Sequence, residues 1–341
     1  MKKTAVVILN WNGRKLLEQF LATIVEHTVD EDTELIVADN GSTDDSVDYL
    51  RREFADVPLI VLNQNYGFAE GYNRAIAQVE AEYVVLLNSD IETTEGWLTS
   101  LVDYLDRHKE VAAVQPKILD YKQQSHFEYA GASGGFIDRY GYPFCRGRIL
   151  GSLEEDKGQY DSVVPVFWAT GAALAIRKKD YDAAGGLDGR FFAHMEEIDL
   201  CWRLNARGRG VMVVPESVVY HVGGASLSSE SPHKTYLNFR NNMLMLYKNL
   251  PKKSFLKIFV VRFFLDLLAM AHLVVQGKLK NAWAVVRAHV DFYGMKADFR
   301  ADRKENLEKR VMEMVPTRYY RPILLDYYLR GRKTFASLKW G

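Results

Sequence analysis

The chain has almost no cysteine. Two thiols in 341 residues, Cys145 and Cys201, cannot build a disulfide framework, and no cysteine pair has metal-ligand spacing. A reducing compartment is the default that follows. A surplus of either charge is also missing: 44 basic residues balance 44 acidic ones, so nothing points to a nucleic-acid partner, which would need a basic excess. The N-terminus has neither the long apolar region nor the small-residue cleavage site of a secretory signal. Its run Ala5-Val6-Val7-Ile8-Leu9 stops at Asn10 and is expected to be a first buried strand. The dinucleotide fingerprint and the P-loop lysine–serine pair are absent too. What remains is ordinary globular material, 48% hydrophobic and 26% charged, enough for one large core and an appendage.

Periodicity divides that material. Ala5–Leu9, Glu34–Ala38, Leu59–Leu62 and Tyr83–Leu87 read as strands. Between and after them, Lys15–Glu26, Asp44–Glu53, Ala69–Val79 and Trp97–Arg107 read as helices; Leu16, Leu17, Phe20, Leu21 and Ile24 share one face of the first. Repeated β-α-β with short links predicts a mostly parallel sheet with helices on both faces. Ala112–Gln115 reads as a short strand, 120–165 as a long loop or small hairpins, and Val163–Trp168, Ala172–Ile176 and Gly210–Val214 as further strands. Ile198–Arg207 reads as a helix. From 226 the pattern turns helical, which sets a catalytic domain over 1–225 and a C-terminal helical region over 226–341.

Polar residues gather at the strand ends. Tyr83–Leu87 is apolar without alternation and then breaks into Asn88-Ser89-Asp90. A strand buried on both faces gives such a run, and the carboxyl ends of such strands are where open α/β sheets bind ligands. A carboxylate there can hold a divalent metal; a plain turn uses the same residue types. The second strand ends in Asp39-Asn40-Gly41-Ser42-Thr43-Asp44. Ser42 or Thr43 can cap the next helix, which leaves Asp39 to accept hydrogen bonds from a base or a ribose. Gly67 and Gly71, four apart, open a helix where close backbone approach to a phosphate or sugar is one use for glycine.

Downstream, Glu196, Glu197 and Asp199 crowd a helix start after Phe191-Phe192. Acidic residues favour helix N-termini, but one carboxylate suffices for that, and an apolar neighbourhood raises a carboxylate toward the range of a general base. His221 ends an apolar stretch before Gly223-Gly224, where it can reach a metal or a phosphate.

In this order the segments resemble the family 2 inverting glycosyltransferases, whose nucleotide-sugar-binding fold is called GT-A. The matching runs are Val7–Gly13, Asp39–Asp44, Asn65–Ala69, Leu87–Asp90, Gly185–Asp188 and Glu196–Arg203, with His221 and Arg240-Asn241 following, over residues 4–250. Within the family the chain looks most similar to rhamnosyltransferase-type members that build bacterial cell-surface polysaccharides. The resemblance implies an α/β GT-A fold with a C-terminal helical region. It implies that Asn10 and Asp39 bind base and ribose, that Asn73 lies beside the sugar-diphosphate path, and that Asn88-Ser89-Asp90 occupies the Asp-x-Asp position. Asp90 and His221 would then hold Mg²⁺ or Mn²⁺. Glu197 falls on the usual aspartate base, with Glu196 beside it. Two positions depart from the pattern: Asn88 replaces an aspartate, and Glu197 is one methylene longer than the aspartate it replaces.

The implied reaction moves a sugar from a dTDP- or UDP-linked donor, rhamnose among the candidates, to a hydroxyl of a cell-surface glycan or lipid-linked acceptor. A sugar nucleotidyltransferase and a non-catalytic nucleotide-sugar-binding module are the competing functions. The implied location is cytoplasmic. Phe255–Val275 leaves two readings open: a helix buried on the catalytic domain, or an interfacial helix on the cytoplasmic face of the inner membrane. Lys257, Arg262, Asp266 and His272 argue against a spanning helix, which needs about 20 nearly uncharged residues. The charged stretch 300–332 is expected to be a solvated helical face. A homo-oligomer stays open.

Overall fold

A computed structural model of the chain describes residues 2–223 and 231–340. Gly224, part of the glycine pair after His221, lies outside the described residues. The first half alternates as its periodicity predicts: β1 (Thr4–Asn10), α1 (Arg14–Thr28), β2 (Thr33–Asp39), α2 (Ser46–Glu53), β3 (Leu59–Val61), α3 (Gly67–Ile76) and β4 (Tyr83–Leu87). Next come β5 (Ile91–Thr93), α4 (Trp97–Arg107) and β6 (Val111–Asp120). The middle holds β7 (Gly135–Asp138), β8 (Pro143–Cys145), β9 (Arg148–Ile149), β10 (Ser152–Leu153), β11 (Val164–Pro165) and β12 (Ala173–Arg177), followed by α5 (Lys178–Ala184), α6 (Glu196–Ala206) and β13 (Gly210–His221). The C-terminal part is α7 (Pro232–Asn249), α8 (Lys252–Val275), α9 (Leu279–Met295), α10 (Arg300–Lys309), β14 (Arg318–Tyr319) and α11 (Ile323–Tyr328).

The main sheet runs β3-β2-β1-β4-β12-β6-β13-β11, with β5 added beside β13. It is mostly parallel: β1 pairs in parallel with β2 and β4, and β6 with β13, while β12 lies antiparallel between β4 and β6. Successive residues of β4 feed opposite cores. Val84 and Leu86 face the side covered by α3, and Val85 and Leu87 face Leu17 and Phe20 of α1 and Leu101 of α4. Both faces are dry, so the strand has no polar alternation.

Of the two readings of 120–165, small hairpins is the one the structure bears out: antiparallel pairs β7–β8, β8–β9 and β9–β10 form most of a second sheet, ordered β10-β9-β8-β7-β14. Two expectations need correction. The strand foreseen over Ala112–Gln115 continues to Asp120. Gln115 and Lys117 disguise it, because each is buried with a tertiary partner: Gln115 accepts from the Thr170 N–H at 3.0 Å, and Lys117 pairs with Asp156 at 2.7 Å. Nor is Arg318-Tyr319 on a solvated face: both are buried in β14, and Arg318 donates to the carbonyl of Arg139 at 2.8 Å. Residues on both sides of 225 contribute to one core, from Val7 and Phe136 to Leu246 and Leu338. Cys145 and Cys201 are free and buried.

Candidate active site

The carboxyl edge of the sheet gathers the polar residues foreseen from the strand ends. Asn88-Ser89-Asp90 is the turn between β4 and β5. The Asn88 N–H donates to the Ala172 carbonyl at 2.9 Å, and the Asp90 carbonyl accepts from the Val222 N–H at 3.1 Å. β5 pairs antiparallel with β13 in a register that sets His221 opposite Ile91. Strand pairing thus brings His221 to Asp90: its Nε2 lies 3.1 Å from Asp90 Oδ1 and 3.4 Å from the Asn88 side-chain amide. Behind the ring, Nδ1 faces Glu128 Oε1 at 3.4 Å, too poorly aligned for a hydrogen bond but close enough to act as an ion pair.

Glu128 was missed from the sequence, because it sits in the stretch of little periodicity read as a long loop or small hairpins. It is carried in by the return of the chain along β6, where its N–H donates to the Ile118 carbonyl at 3.0 Å. Burial alone would lower the His221 pKa, but the two carboxylates outweigh it and push it up to about 10. Burial would raise Asp90, but the His221 hydrogen bond and charge, with the backbone and Asn88 hydrogen bonds, together outweigh it, so Asp90 lies below its ordinary value.

The three carboxylates at the start of α6 divide into two kinds. Asp199 is fully compensated by Arg203 at 3.0 Å, Lys248 at 2.7 Å and Asn249 at 2.8 Å. Among the described residues Glu196 and Glu197 have no cation, and one oxygen of each is buried without a hydrogen-bond partner. Burial, with repulsion from Glu197, holds Glu196 well above the usual carboxylate range. Burial raises Glu197 to about 7. Leaving a buried carboxylate uncompensated is costly, and groups so perturbed cluster at functional sites.

The approach to α6 is strained. Phe192, His194 and Met195 all have positive φ, between 67° and 74°. Such backbone persists in non-glycine residues only where its surroundings enforce it. Here the Asn241 amide donates to the carbonyls of Phe191, Ala193 and His194 at 2.8–2.9 Å, and Arg240 donates to Phe191 at 3.0 Å. The Phe192 carbonyl in turn accepts from the Phe68 and Ala69 N–H groups at the start of α3. The glycines of that turn therefore seat protein rather than phosphate: a Cβ on Gly67, whose φ is +77°, would strike the Phe192 ring, and one on Gly71 would strike Leu9.

Other expected residues are placed as follows. The Asn10 amide donates to Asp39 Oδ2 at 2.9 Å, and Asp39 Oδ1 accepts from the Ser42 N–H at 2.8 Å, both at the carboxyl edge of β1 and β2. Asn10 Oδ1 is buried without a partner. The Asn73 amide is occupied by Leu187 and Tyr181, so in this structure it holds the Gly185–Asp188 turn. The two halves of the site meet across residues 170–172, since Gly171 lies against Glu197 and its neighbour Ala172 accepts from Asn88. Lys234, in the first turn of α7, lies within electrostatic reach of both Glu128 and His194; the sequence carried no signal for it.

Among the described residues no three His, Cys, Asp or Glu side chains gather as a metal cluster. The fit to a divalent cation is narrower: the Asp90 carboxylate and the His221 imidazole face each other, a mixed N/O donor pair, with the Asn88 amide beside them. Mg²⁺ or Mn²⁺ commonly takes its remaining ligands from phosphates and water. A cation at Nε2 needs the neutral imidazole, so loading such a site would displace the proton that the two carboxylates favour on His221.

A doubly covered, mostly parallel sheet with these groups at its carboxyl edge is the GT-A class of glycosyltransferase fold. Residues 5–150 match the family described as Glycosyl transferase family 2. It is 27% identical over 230 residues to the N-acetylglucosaminyl-diphospho-decaprenol L-rhamnosyltransferase of Mycobacterium tuberculosis, a match covering 63% of this chain and 75% of that one. It is 25% identical over 163 residues to Rhamnosyltransferase WbbL of Escherichia coli K12, covering 46% of this chain and 61% of that one. Among solved structures, the mannosyltransferase PcManGT of Pyrobaculum calidifontis, in complex with GDP-Man and Mn2+, superposes with a TM-score of 0.52 at 16% identity, covering 89% of this chain and 87% of that one. At that identity the likeness speaks for the fold alone.

Proposed function

We propose that this protein transfers a sugar from a nucleoside-diphosphate donor to an acceptor hydroxyl with inversion, Glu197 acting as the base. The observation that carries this reading is the pairing of two half-sites. Uncompensated Glu196 and Glu197 sit on one side of residues 170–172, and the Asp90–His221–Asn88 cluster sits on the other. Glu197 is favoured over Glu196 because it is the less buried of the two and its pKa of about 7 suits proton abstraction near neutrality. Its carboxylate would take the proton of the attacking hydroxyl, and a single displacement inverts the anomeric carbon. Asp90 and His221 would hold Mg²⁺ or Mn²⁺, with Asn88 beside them. The chemistry such an ion supplies when bound is neutralisation of charge on the leaving diphosphate. Asn10 and Asp39 would meet the nucleoside, and Lys234 would face the diphosphate.

The rhamnosyltransferases among the relatives favour a dTDP- or UDP-linked deoxyhexose as donor and a glycan or lipid-linked glycan as acceptor. The test is a panel of nucleotide sugars with Mn²⁺, read by thermal shift and product release. Nucleoside diphosphate release with an inverted anomeric product supports the proposal. Pyrophosphate-dependent chemistry would make the protein a nucleotidyltransferase, and binding without turnover would make it a binding module.

A further inference from the structure

The helix α8 is built inside out for a water-soluble surface. By length and composition it is apolar enough to cross a bilayer, yet only 11% of its most apolar window is buried. Neither a buried helix nor a solvated one fits that pattern. Its buried residues are Phe255, Arg262 and Asp266. Near mid-helix, Arg262 bonds to the Tyr140 carbonyl at 2.9 Å and to the Asn242 side chain. Asp266 pairs with Arg262 at 3.2 Å and with His289 of α9 at 3.1 Å. The midpoint is thereby fastened sideways to the catalytic domain, which a helix surrounded by lipid could not be.

The opposite face carries Leu256, Val260, Phe263, Phe264, Leu267 and Leu268, all exposed; Phe264 is 61% and Leu268 67% accessible. Their three- and four-residue spacing makes one continuous stripe. It is widened by α9, where Trp283 is 67% exposed. Between the two helices an apolar cleft of about 190 Å³ is lined by Phe263, Leu267, Val290 and Tyr293, residues of the same exposed face.

Charge decides what covers this face. The chain as a whole is neutral, but from 252 to 296 the only carboxylates are Asp266, which is buried, and Asp291, which pairs with Arg287. The same stretch has Lys252, Lys253 and Lys257 exposed at the start of α8 and Lys280 exposed near the start of α9. A two-fold interface with a second copy would set this basic fringe against itself. An anionic lipid surface satisfies both the lysines and the apolar stripe, and an exposed tryptophan suits headgroup depth.

We propose that the outer face of α8 and α9 lies in the plane of an anionic bilayer. The proposal stands on these helix faces and is independent of the transfer reaction. Arg262 also links α8 to the start of α6, since Asn242, held by Arg262, contacts the sulfur of Met195 beside Glu196.

The test is co-sedimentation of the full chain with vesicles of phosphatidylglycerol and phosphatidylcholine, or of phosphatidylcholine alone, without donor or acceptor. Binding to the anionic vesicles, weakened by salt, is expected. Phe264→Asp with Leu268→Asp should lower partitioning about tenfold or more, and reversal of Lys252, Lys253 and Lys257 to Glu should do so on anionic vesicles alone. Unchanged melting and an unchanged circular-dichroism spectrum would show that these exposed variants remain folded. A wild-type chain that stays in the supernatant with every vesicle overturns the proposal. So does a dimer in solution that Phe264→Asp dissociates in the absence of vesicle binding, which would make the face a self-association surface.

Discussion

Asp90 and His221 are 131 residues apart in the chain and 3.1 Å apart in the fold, and Glu128 stands 3.4 Å behind the imidazole. A carboxylate on the far nitrogen orients a histidine and raises its basicity toward whatever the near nitrogen binds. Glu128→Gln is therefore expected to weaken Mn²⁺ binding about 10–100-fold, measured by calorimetry on the donor-free protein. Asp90→Asn should weaken it further. Equal Mn²⁺ affinity in wild type and Glu128→Gln would show that the contact does not tune the site.

Glu197→Gln should lower kcat by about 10²–10⁴-fold while donor affinity changes little, because the side chain is assigned to the acceptor proton. Near-normal turnover would sink the base assignment. The parallel Glu196→Gln variant is expected to be the milder of the two.

The same carboxylate sets a pH dependence. Glu197 has a folded value of about 7 against an ordinary 4.5. As a base it must be ionised, so kcat/KM should rise through pH 7 and level off above it. Stability runs the other way. Between 4.5 and 7 the folded chain keeps a proton that the unfolded chain releases, so stability is fully present below 4.5 and declines as pH climbs through 7. At pH 8 Glu197→Gln should thus melt higher than wild type, by on the order of 1 kcal/mol. A variant that is both inactive and less stable at pH 8 would contradict the uncompensated state of this residue.

Asn241→Ala removes the donor shared by three carbonyls of the strained loop. A loss of about 1–3 kcal/mol in unfolding free energy is expected from leaving buried carbonyls unpaired. Turnover should fall as well, because Glu196 and Glu197 follow directly on that loop, whereas Mn²⁺ affinity at Asp90 should hold. A coupled loss of metal binding would mean that the two half-sites do not move separately.

Asp199→Asn should be purely structural. It leaves Lys248 and Arg203 short of a buried carboxylate, and breaking such a buried pair costs about 3–5 kcal/mol. Chemical denaturation measures this directly, and any folded fraction should keep the pH profile of wild type.

Much of this was legible in the chain. Tyr83–Leu87 and Trp97–Arg107 have the bounds their patterns announced, because both bury whole faces against the same core. Asp90, His221, Glu196 and Glu197 stood out as polar residues closing apolar runs. The second sheet did not stand out. Its strands are two to four residues long, too short to show alternation, and they are held by tertiary closure: Ile323 donates to Asp138 at 3.0 Å, and Trp340 packs on Phe136. Glu128 was hidden with them.

The sequence by itself determined the order of elements from β1 to β4, the doubly buried sheet and the polar clusters at its carboxyl edge, since these follow from local periodicity and from where apolar runs must stop. Only the tertiary structure decided which carboxylates were neutralised. Asp199 and Glu197 are two residues apart on one helix, but Lys248 and Arg203 reach one of them, and among the described residues nothing cationic reaches the other. It likewise decided that Arg262 and Asp266 face inward and the apolar stripe of α8 faces out. A helical wheel shows which residues share a face, but which face turns outward depends on partners such as Tyr140 and Asn242, far away in the chain.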